Sequence, residues 1–490
     1  MARRLRTPAD PRVLAQFREV LRRADFTVPA ITRLLGNAEI TELKSRSPRL
    51  LHATRAGTPL DTLIRLFVAG APVALGQAEA ALNPVPVPSL AESGVLRIAT
   101  GTAAPLVSIL PHDDLVIVSD PPFRRGKAAD YVPGMLDSTV FLELFTIRRP
   151  LRSALDLGTG CGVHALRAGL HSDQVVASDL SPRALDFARF NAALNGVSNI
   201  EFVQGNGFEP VAGRRFDLIV SNLPFAITPS RRYIYRDSGM RLDDFARSFF
   251  AAAPGCLSEG GYCQVLCQWA EIEGQDWHDR LREWFNGSSC DVWVMKNDSR
   301  SPDSYAEKWI ADTETCPAEG AEQLFEQWMQ FYQEEKVAAI HSGAIAMRRR
   351  DGTNWLRIDD APDRARSPFG GAVLRAFAVR DYLETASDQN LLDQPLRVSP
   401  DIHLIQRCEW ADGEWHVEAS QLRFHRELEY IANVDEFVSK LVARSTGERQ
   451  LRELIGELAA QIGIATERLT PACLQLVRGL IERGFLLPKF

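Results

Sequence analysis

The sequence predicts an α/β protein centred on a doubly wound, mostly parallel sheet with smaller flanking domains. Three observations lead there. From Ser153 to Met295, apolar runs of strand length alternate with stretches of helical periodicity. The first run opens into the glycine-rich tract Asp156-Leu157-Gly158-Thr159-Gly160-Cys161-Gly162, and the polar residues Asp179, Asn206 and Asn222 stand where later runs end. Such alternation builds parallel strands with helices on both faces. At 490 residues the chain is too long for one such core, so three domains are expected, 1–136, 137–360 and 361–490.

In the N-terminal domain, helical patterns cover Pro11 to Ala24, Val28 to Leu35 and Pro59 to Ala69, and short strand-like runs follow at Val95 to Ile98, Leu106 to Pro111 and Leu115 to Ser119. Small helices followed by a strand pair suggest an α+β, winged-helix-like module, a type that binds nucleic acid or protein or simply packs. The basic run Ala2-Arg3-Arg4-Leu5-Arg6 reads as a solvated terminus, and Arg124-Arg125-Gly126-Lys127 as a loop surface more than a substrate contact. Tyr131 to Met135 is placed to approach a bound ligand from the N-terminal side.

The core begins with a strand, Ser153 to Leu157, a tight turn and a helix from Cys161 to His171. Glycines lack a Cβ, so the backbone can curl and approach a ligand, and the helix N-terminus adds inward N–H donors. Asp179 closes the second strand, Val175 to Leu180, where a carboxylate about 20 residues past the loop can accept both hydroxyls of a ribose. A dinucleotide fingerprint started at Gly158 would put Val163 where a small residue belongs. An ordinary turn without a ligand explains the glycines alone, but not the polar residues at the later strand ends. Ser181-Pro182 is an N-cap with proline at the first helical position, opening a helix to about Gly196. Ile200 to Gly205 is the third strand, and Asn206 just beyond it is either an acceptor through its amide oxygen or a turn residue. The fourth strand, Phe216 to Ser221, delivers Asn222-Leu223-Pro224-Phe225.

The glycine tract, Asp179 and this tetrapeptide together resemble the motifs of class I S-adenosylmethionine (SAM)-dependent methyltransferases, of the small-domain type related to the release-factor glutamine and ribosomal RNA N-methyltransferases. The resemblance covers roughly Ala154 to Trp269. It implies a Rossmann-like, seven-stranded sheet, and SAM as the cofactor held by Asp156, Gly158, Thr159, Gly160, Gly162, Asp179, Leu180, Asn206, Gly207 and Asn222. It also implies an acceptor site made by Asn222, Pro224 and Phe225. The acceptor would be an sp2 nitrogen, an amide or exocyclic amine, which is a poor nucleophile because its lone pair is delocalised. On that resemblance the Asn222 side-chain oxygen and a neighbouring backbone carbonyl take its two N–H bonds, and Phe225 stacks on the planar group. Alignment and electrostatics then replace a strong base, and no metal is required. Leu223 stands where the motif usually has its first proline: a carbonyl survives that change, the rigidity of a Pro-Pro turn does not.

Downstream, Leu242 to Leu257 reads as a helix ended by Gly260-Gly261, Tyr262 to Trp269 as a buried fifth strand, Trp277 to Phe285 as an amphipathic helix and Asp291 to Met295 as a sixth strand. Ala344 to Arg348 with Trp355 to Ile358 would supply the final strand and hairpin, and Ser304 to Ile340 is too long and too helical for a simple connection, suggesting an inserted lid or partner surface. The C-terminal domain reads as mostly helical and winged-helix-like. It has strand-like runs at Arg397 to Leu404 and Trp415 to Phe424, helices at Val434 to Val442, Glu448 to Gln461 and Pro471 to Glu482, and the apolar ending Phe485-Leu486-Leu487.

Composition narrows the partners. A net charge of −7 disfavours nucleic acid, which a strongly basic chain would bind by neutralising phosphates. No apolar run reaches membrane-spanning length and the N-terminus lacks the core of a signal peptide, so a cytoplasmic location is expected. Eight scattered cysteines suggest reduced thiols. Cys263 and Cys267 share a strand face without a second pair or histidine at zinc spacing, so packing is their expected role. His164 and His171 read as structural or surface residues. The methyl acceptor stays open between a protein amide, an RNA base, and a small molecule or modified peptide. A SAM-binding scaffold with a decayed site is the non-enzymatic alternative.

Overall fold

A computed structural model describes residues 4–36, 47–124, 128–314, 317–361, 367–425 and 430–489. Contacts divide the chain into two compact units, Met1–Leu142 with Arg149–Asp360 and Glu143–Arg148 with Ala361–Phe490. The first unit opens with helices α1 (Arg12–Arg23), α2 (Val28–Leu35), α3 (Pro48–Ala53) and α4 (Pro59–Leu63), the last continuing as a wider π-helical turn over Ile64–Val68. There follow β1 (Val73–Ala74), α5 (Leu75–Leu82), α6 (Val87–Glu92), β2 (Leu96–Ala99) and β3 (Thr102–Pro105), and the three strands pair antiparallel in the order β1-β3-β2. A separate hairpin, β4 (Ser108–His112) and β5 (Leu115–Ser119), leads toward the central sheet.

The central sheet is laid down by α7 (Asp137–Phe145), β6 (Leu151–Leu157), α8 (Val163–Gly169), β7 (Ser172–Asp179), α9 (Pro182–Asn195), β8 (Ile200–Gln204), β9 (Phe216–Asn222), α10 (Asp244–Ala252) and β10 (Leu257–Ile272). It continues through α11 (Trp277–Phe285), β11 (Cys290–Arg300), α12 (Pro302–Thr313), α13 (Ala318–Glu334), β12 (Val337–Arg349) and β13 (Leu356–Asp360). Strand order is β13-β11-β12-β10-β9-β6-β7-β8. The run from β10 to β8 is parallel, and β12 lies antiparallel between β10 and β11. From β6 the chain first moves outward through β7 to β8, then returns to β9 on the other side of β6. That reversal opens a crevice above the carboxyl ends of β6 and β9, where ligands of such sheets bind.

The local code is visible at α9. Ser181 caps it by accepting from the Ala184 N–H at 3.3 Å, Pro182 takes the first turn, and Gly196 ends it at φ 71°. Inward, α9 meets the N-terminal residues. Asn191 Oδ1 accepts from Val118 N at 2.8 Å while its Nδ2 donates to Val118 O and Cys161 O, and Asn195 makes the same exchange with Val116 at 2.9 and 2.8 Å. Two asparagines one helical turn apart thereby satisfy alternate backbone groups on the open edge of β5. Leu14, Phe17 and Ile117 share one apolar core with Val163, Leu166, Phe187 and Phe190. No structural division therefore falls between 136 and 137.

The structure corrects several expectations. The sheet has eight strands, not seven, because β13 adds to the outer edge of β11 in parallel. For the same reason β12 and β13 are not a hairpin: β11 lies between them. The helix expected to run to Leu257 stops at Ala252, since Pro254 cannot continue it, and Gly260 and Gly261 sit in an irregularity of β10. Arg4 is not simply solvated but pairs with Asp186, and Leu5 is buried. Ala2 and Arg3 of that run, and Arg125, Gly126 and Lys127 of the second basic run, lie outside the described residues; Arg124 pairs with Asp120 at 3.1 Å.

The second unit contains α14 (Gly370–Thr385), α15 (Asp388–Asp393), β14 (Pro395–Val398), β15 (Ile402–Ala411), β16 (Glu414–Phe424), β17 (Ile431–Val434), α16 (Glu436–Arg444), β18 (Thr446–Gln450), α17 (Leu451–Ile462), α18 (Thr466–Glu482) and β19 (Leu486–Pro488). Its strands form two sheets, β18-β14-β19 and β15-β16-β17, so this region is α+β and not mostly helical. Strand β16 and parts of β14 and β15 fall where strand-like runs were expected, while β15 beyond Leu404 was missed. Gln406, Arg407 and Glu409 in β15 face solvent and leave no apolar alternation to detect. The single strand expected from Arg397 to Leu404 is broken near Pro400 into β14 and β15, which join different sheets.

The seven cysteines among the described residues are free thiols, and Cys263 and Cys267 are buried in β10. No helix among the described residues is long and apolar enough to cross a membrane.

Candidate active site

Strand β6 ends in a turn whose glycines divide into two kinds. Gly158 and Gly160 have φ of 74° and 56°, and a Cβ at either would meet no atom within 4 Å, so the space in front of them is open. Gly207, beyond β8, has φ 51° and the same open front. Gly162 serves packing instead, since a Cβ there would come within 3.0 Å of Ala188 on α9. The turn is tied to the next strand: Gly158 N and Thr159 N donate to Ser178 O at 2.8 and 2.9 Å, and Gly160 N donates to Asp179 Oδ2 at 2.8 Å.

Asp156 holds the turn from behind. Its Oδ2 accepts from Thr159 Oγ1 at 2.5 Å and from Ala165 N at 2.9 Å, while Oδ1 is buried without a partner. Burial, only partly offset by those bonds, pushes its carboxyl up to about 7. Asp179 faces the open side. Oδ1 accepts from Ser181 N at 2.8 Å, and burial holds its carboxyl above the ordinary aspartate value against the pull of the surrounding N–H donors.

A cavity of about 320 Å³ lies above β6 and β9. Of the expected cofactor residues, Gly158, Gly160, Asp179, Leu180, Asn206, Gly207 and Asn222 line it; Asp156, Thr159 and Gly162 do not, and shape the turn from outside the cavity. The expected acceptor residues Asn222, Pro224 and Phe225 line the same cavity, as does Leu223, whose side chain also joins the apolar core against β9. Asn222 Nδ2 donates to Ser138 Oγ at 3.0 Å, leaving Oδ1 buried without a hydrogen-bond partner. The open glycine fronts leave room for a ligand, and the Asp179 carboxylate and this unpaired oxygen offer it hydrogen-bond acceptors, an arrangement that fits the hydroxyls of SAM and the N–H groups of a nitrogen acceptor.

Tyr131 to Gly134 reach the cavity, in keeping with the expected approach from the N-terminal side; Met135 is not in its wall. His164 also lines it. Sequence reasoning missed Ser138, Tyr233, Tyr235 and Trp309, all of which line the cavity. Tyr131 and Tyr235 meet edge to face at 5.5 Å, and Tyr233 stands 6.0 Å from Tyr235. A signal existed in the aromatic and charged run Tyr233-Ile234-Tyr235-Arg236-Asp237, in the connection that follows the tetrapeptide and is longer than most.

Fold and site together define a class I SAM-dependent methyltransferase domain. Residues 131–289 match the family described as Methyltransferase small domain. Within this region the chain is 37% identical over 133 residues to a release factor glutamine methyltransferase of Xylella fastidiosa, covering 24% of this chain and 47% of that protein. It is 36% identical over 143 residues to the enzyme of the same description from Geobacter sulfurreducens, covering 26% and 50%. The chain thus spans about half the length of these curated relatives. Among solved structures, the YcgJ protein of Bacillus subtilis aligns with TM-score 0.30 at 17% identity, covering 44% of this chain and 99% of that one. The flanking stretches 23–106 and 375–488 each match a domain of unknown function, DUF7059 and DUF7782.

Proposed function

We propose that this protein transfers a methyl group from SAM to the side-chain amide nitrogen of a glutamine in a protein, with a release factor as the first substrate to test. The observation that carries this reading is Asn222. Its oxygen is buried, unpaired and held in orientation by Ser138, in the wall of the cavity that Asp179 also lines. A buried acceptor without a donor is costly, so it invites a ligand N–H.

On this reading Gly158, Gly160, Asp179, Leu180, Asn206 and Gly207 hold the cofactor, which when bound supplies an electrophilic methyl group. Asp179 accepts from the ribose hydroxyls. Asn222 Oδ1 and a carbonyl of the adjoining turn would accept from the two amide N–H groups, fixing the orientation of the nitrogen and its lone pair in the cavity. Phe225 supports the planar amide. The release-factor relatives and the net charge of −7 favour a protein acceptor over an RNA base. We further read 137–360 as the catalytic core. The orders β1-α5-α6-β2-β3 and β18-α17-α18-β19 read as winged-helix-like modules that engage the protein substrate.

The test is incubation with methyl-labelled SAM and a purified release factor, followed by peptide mapping. Label on a glutamine, lost with Asn222→Ala, is the expected result; label that partitions into an RNA or small-molecule fraction instead would overturn the assigned acceptor.

A further inference from the structure

The loop 226–238 that walls the acceptor end of the cavity is held by the helical insertion α12–α13 at two points. At its start, Ile227 N donates to Tyr305 Oη at 3.0 Å and Ile227 O accepts from Tyr332 Oη at 2.7 Å. At its end, Arg236 is only 1% exposed, and its guanidinium donates to Asp237 Oδ1 at 2.6 Å, to Glu314 Oε1 at 3.2 Å and to Thr313 Oγ1. It also lies 4.7 Å from the Tyr233 ring centroid and 5.9 Å from that of Trp309. Glu314 accepts in addition from Tyr233 Oη at 2.9 Å and pairs with Arg232 at 3.5 Å. Asp237 Oδ2 gathers the N–H groups of Arg232 and Tyr233 at 2.8 and 3.0 Å, and Ala226 N donates to Arg236 O at 3.2 Å, closing the loop on itself.

An arginine buried this deeply is tolerated only with its carboxylates in place, because a buried charge left without its partner is strongly destabilising. One such pair, Arg236 with Glu314, joins the cavity loop to the residue that follows α12. The wall aromatics Tyr233 and Tyr235 precede Arg236 by three positions and one, and Tyr233 bonds Glu314 directly, whereas Gly158, Asp179 and Asn206 lie at strand ends outside this loop.

We propose that the helical insertion is the acceptor-shaping part of this protein. Through the Arg236–Glu314 pair and the Tyr332–Ile227 bond it keeps loop 226–238 in one conformation, so the aromatic wall exists before the acceptor arrives. Glu314 is then a positioning residue for the acceptor and has no part in cofactor binding. The catalytic consequence rests on the proposed glutamine methylation; the loop restraint does not.

The experiment uses the full chain and the variant Glu314→Gln, with Tyr332→Phe as a milder second variant should the first fail to fold. Hydrogen exchange of the Arg232 and Tyr233 amides should accelerate about tenfold or more relative to amides in β6 and β9. The KM for a glutamine-bearing release factor should rise about tenfold with kcat changed less than about threefold, and the SAM dissociation constant should stay within about twofold. Unchanged exchange in the loop overturns the proposal. So does a loss of SAM affinity as large as the rise in KM. If the parent protein methylates no glutamine, the assigned acceptor fails, and the exchange and SAM titrations still decide whether the insertion restrains the loop without touching the cofactor site.

Discussion

The Asn222 side chain donates to the Ser138 hydroxyl at 3.0 Å across 84 positions of sequence, and this bond turns the amide so that its oxygen is left unpaired in the wall of the cavity. One hydrogen bond from the start of α7 thereby sets which end of Asn222 a substrate would meet.

Asn222→Ala should therefore lower turnover about a hundredfold or more, the scale for losing a preorganised polar group at a reacting centre, while SAM affinity stays within about threefold. Ser138→Ala should cost less, about tenfold, because it removes only the orientation. Steady-state kinetics beside calorimetric titration separate the two effects. Turnover undiminished in Asn222→Ala removes that residue from the mechanism.

Asp179→Ala should weaken SAM binding by about 3 kcal/mol, roughly a hundredfold in dissociation constant, since each bond to an ionised acceptor contributes about 1.5–3 kcal/mol. It also releases the Gly160 N–H that braces the turn. Calorimetry on parent and variant is the check, and full affinity in the variant would exclude Asp179 from the cofactor site.

Asn191→Ala should destabilise the first unit by about 3 kcal/mol, because Val118 N, Val118 O and Cys161 O lose a buried partner together. Urea unfolding measures this. A loss below about 0.5 kcal/mol would mean that water replaces the amide.

Stability should also depend on pH through Asp156. Its folded carboxyl titrates at about 7, above the ordinary value of 3.8. Between those values the folded protein holds a proton that the unfolded chain has released, so this group's contribution is greatest in acid and declines as pH rises toward 7. Asp156→Asn keeps an acceptor for Ala165 N without the charge. From about pH 5 to about pH 8 the stability difference should shift in favour of the variant. Paired urea titrations at the two pH values read this directly, and a difference independent of pH would mean that Asp156 ionises as easily in the fold as outside it.

Much of the central sheet was legible because its signals are local. The α9 cap and proline occupy adjacent positions and its terminal glycine closes the same helix, and α2, β5 and α11 also fall where periodicity puts them. The tetrapeptide and Asp179 were legible as strand-end polar residues. Three members of the glycine tract's expected cofactor set, Asp156, Thr159 and Gly162, prove to stand outside the cavity, a distinction of facing that spacing does not carry. The run that becomes β13 was legible as a strand, but its place was not, since pairing beside β11 depends on a crossing over β12.

By itself the sequence determined the alternation of strands and helices, the positive-φ turn after β6 and the residue types at the strand ends, all consequences of backbone sterics and short-range periodicity. Tertiary structure alone decided what those residues face. Ser138 orients Asn222, Asn191 binds the N-terminal hairpin to the core, and Glu314 braces Arg236 behind the aromatic wall, each across 73 or more positions. Such pairs form only when the burial of many apolar side chains has brought distant segments together, and no local pattern records them.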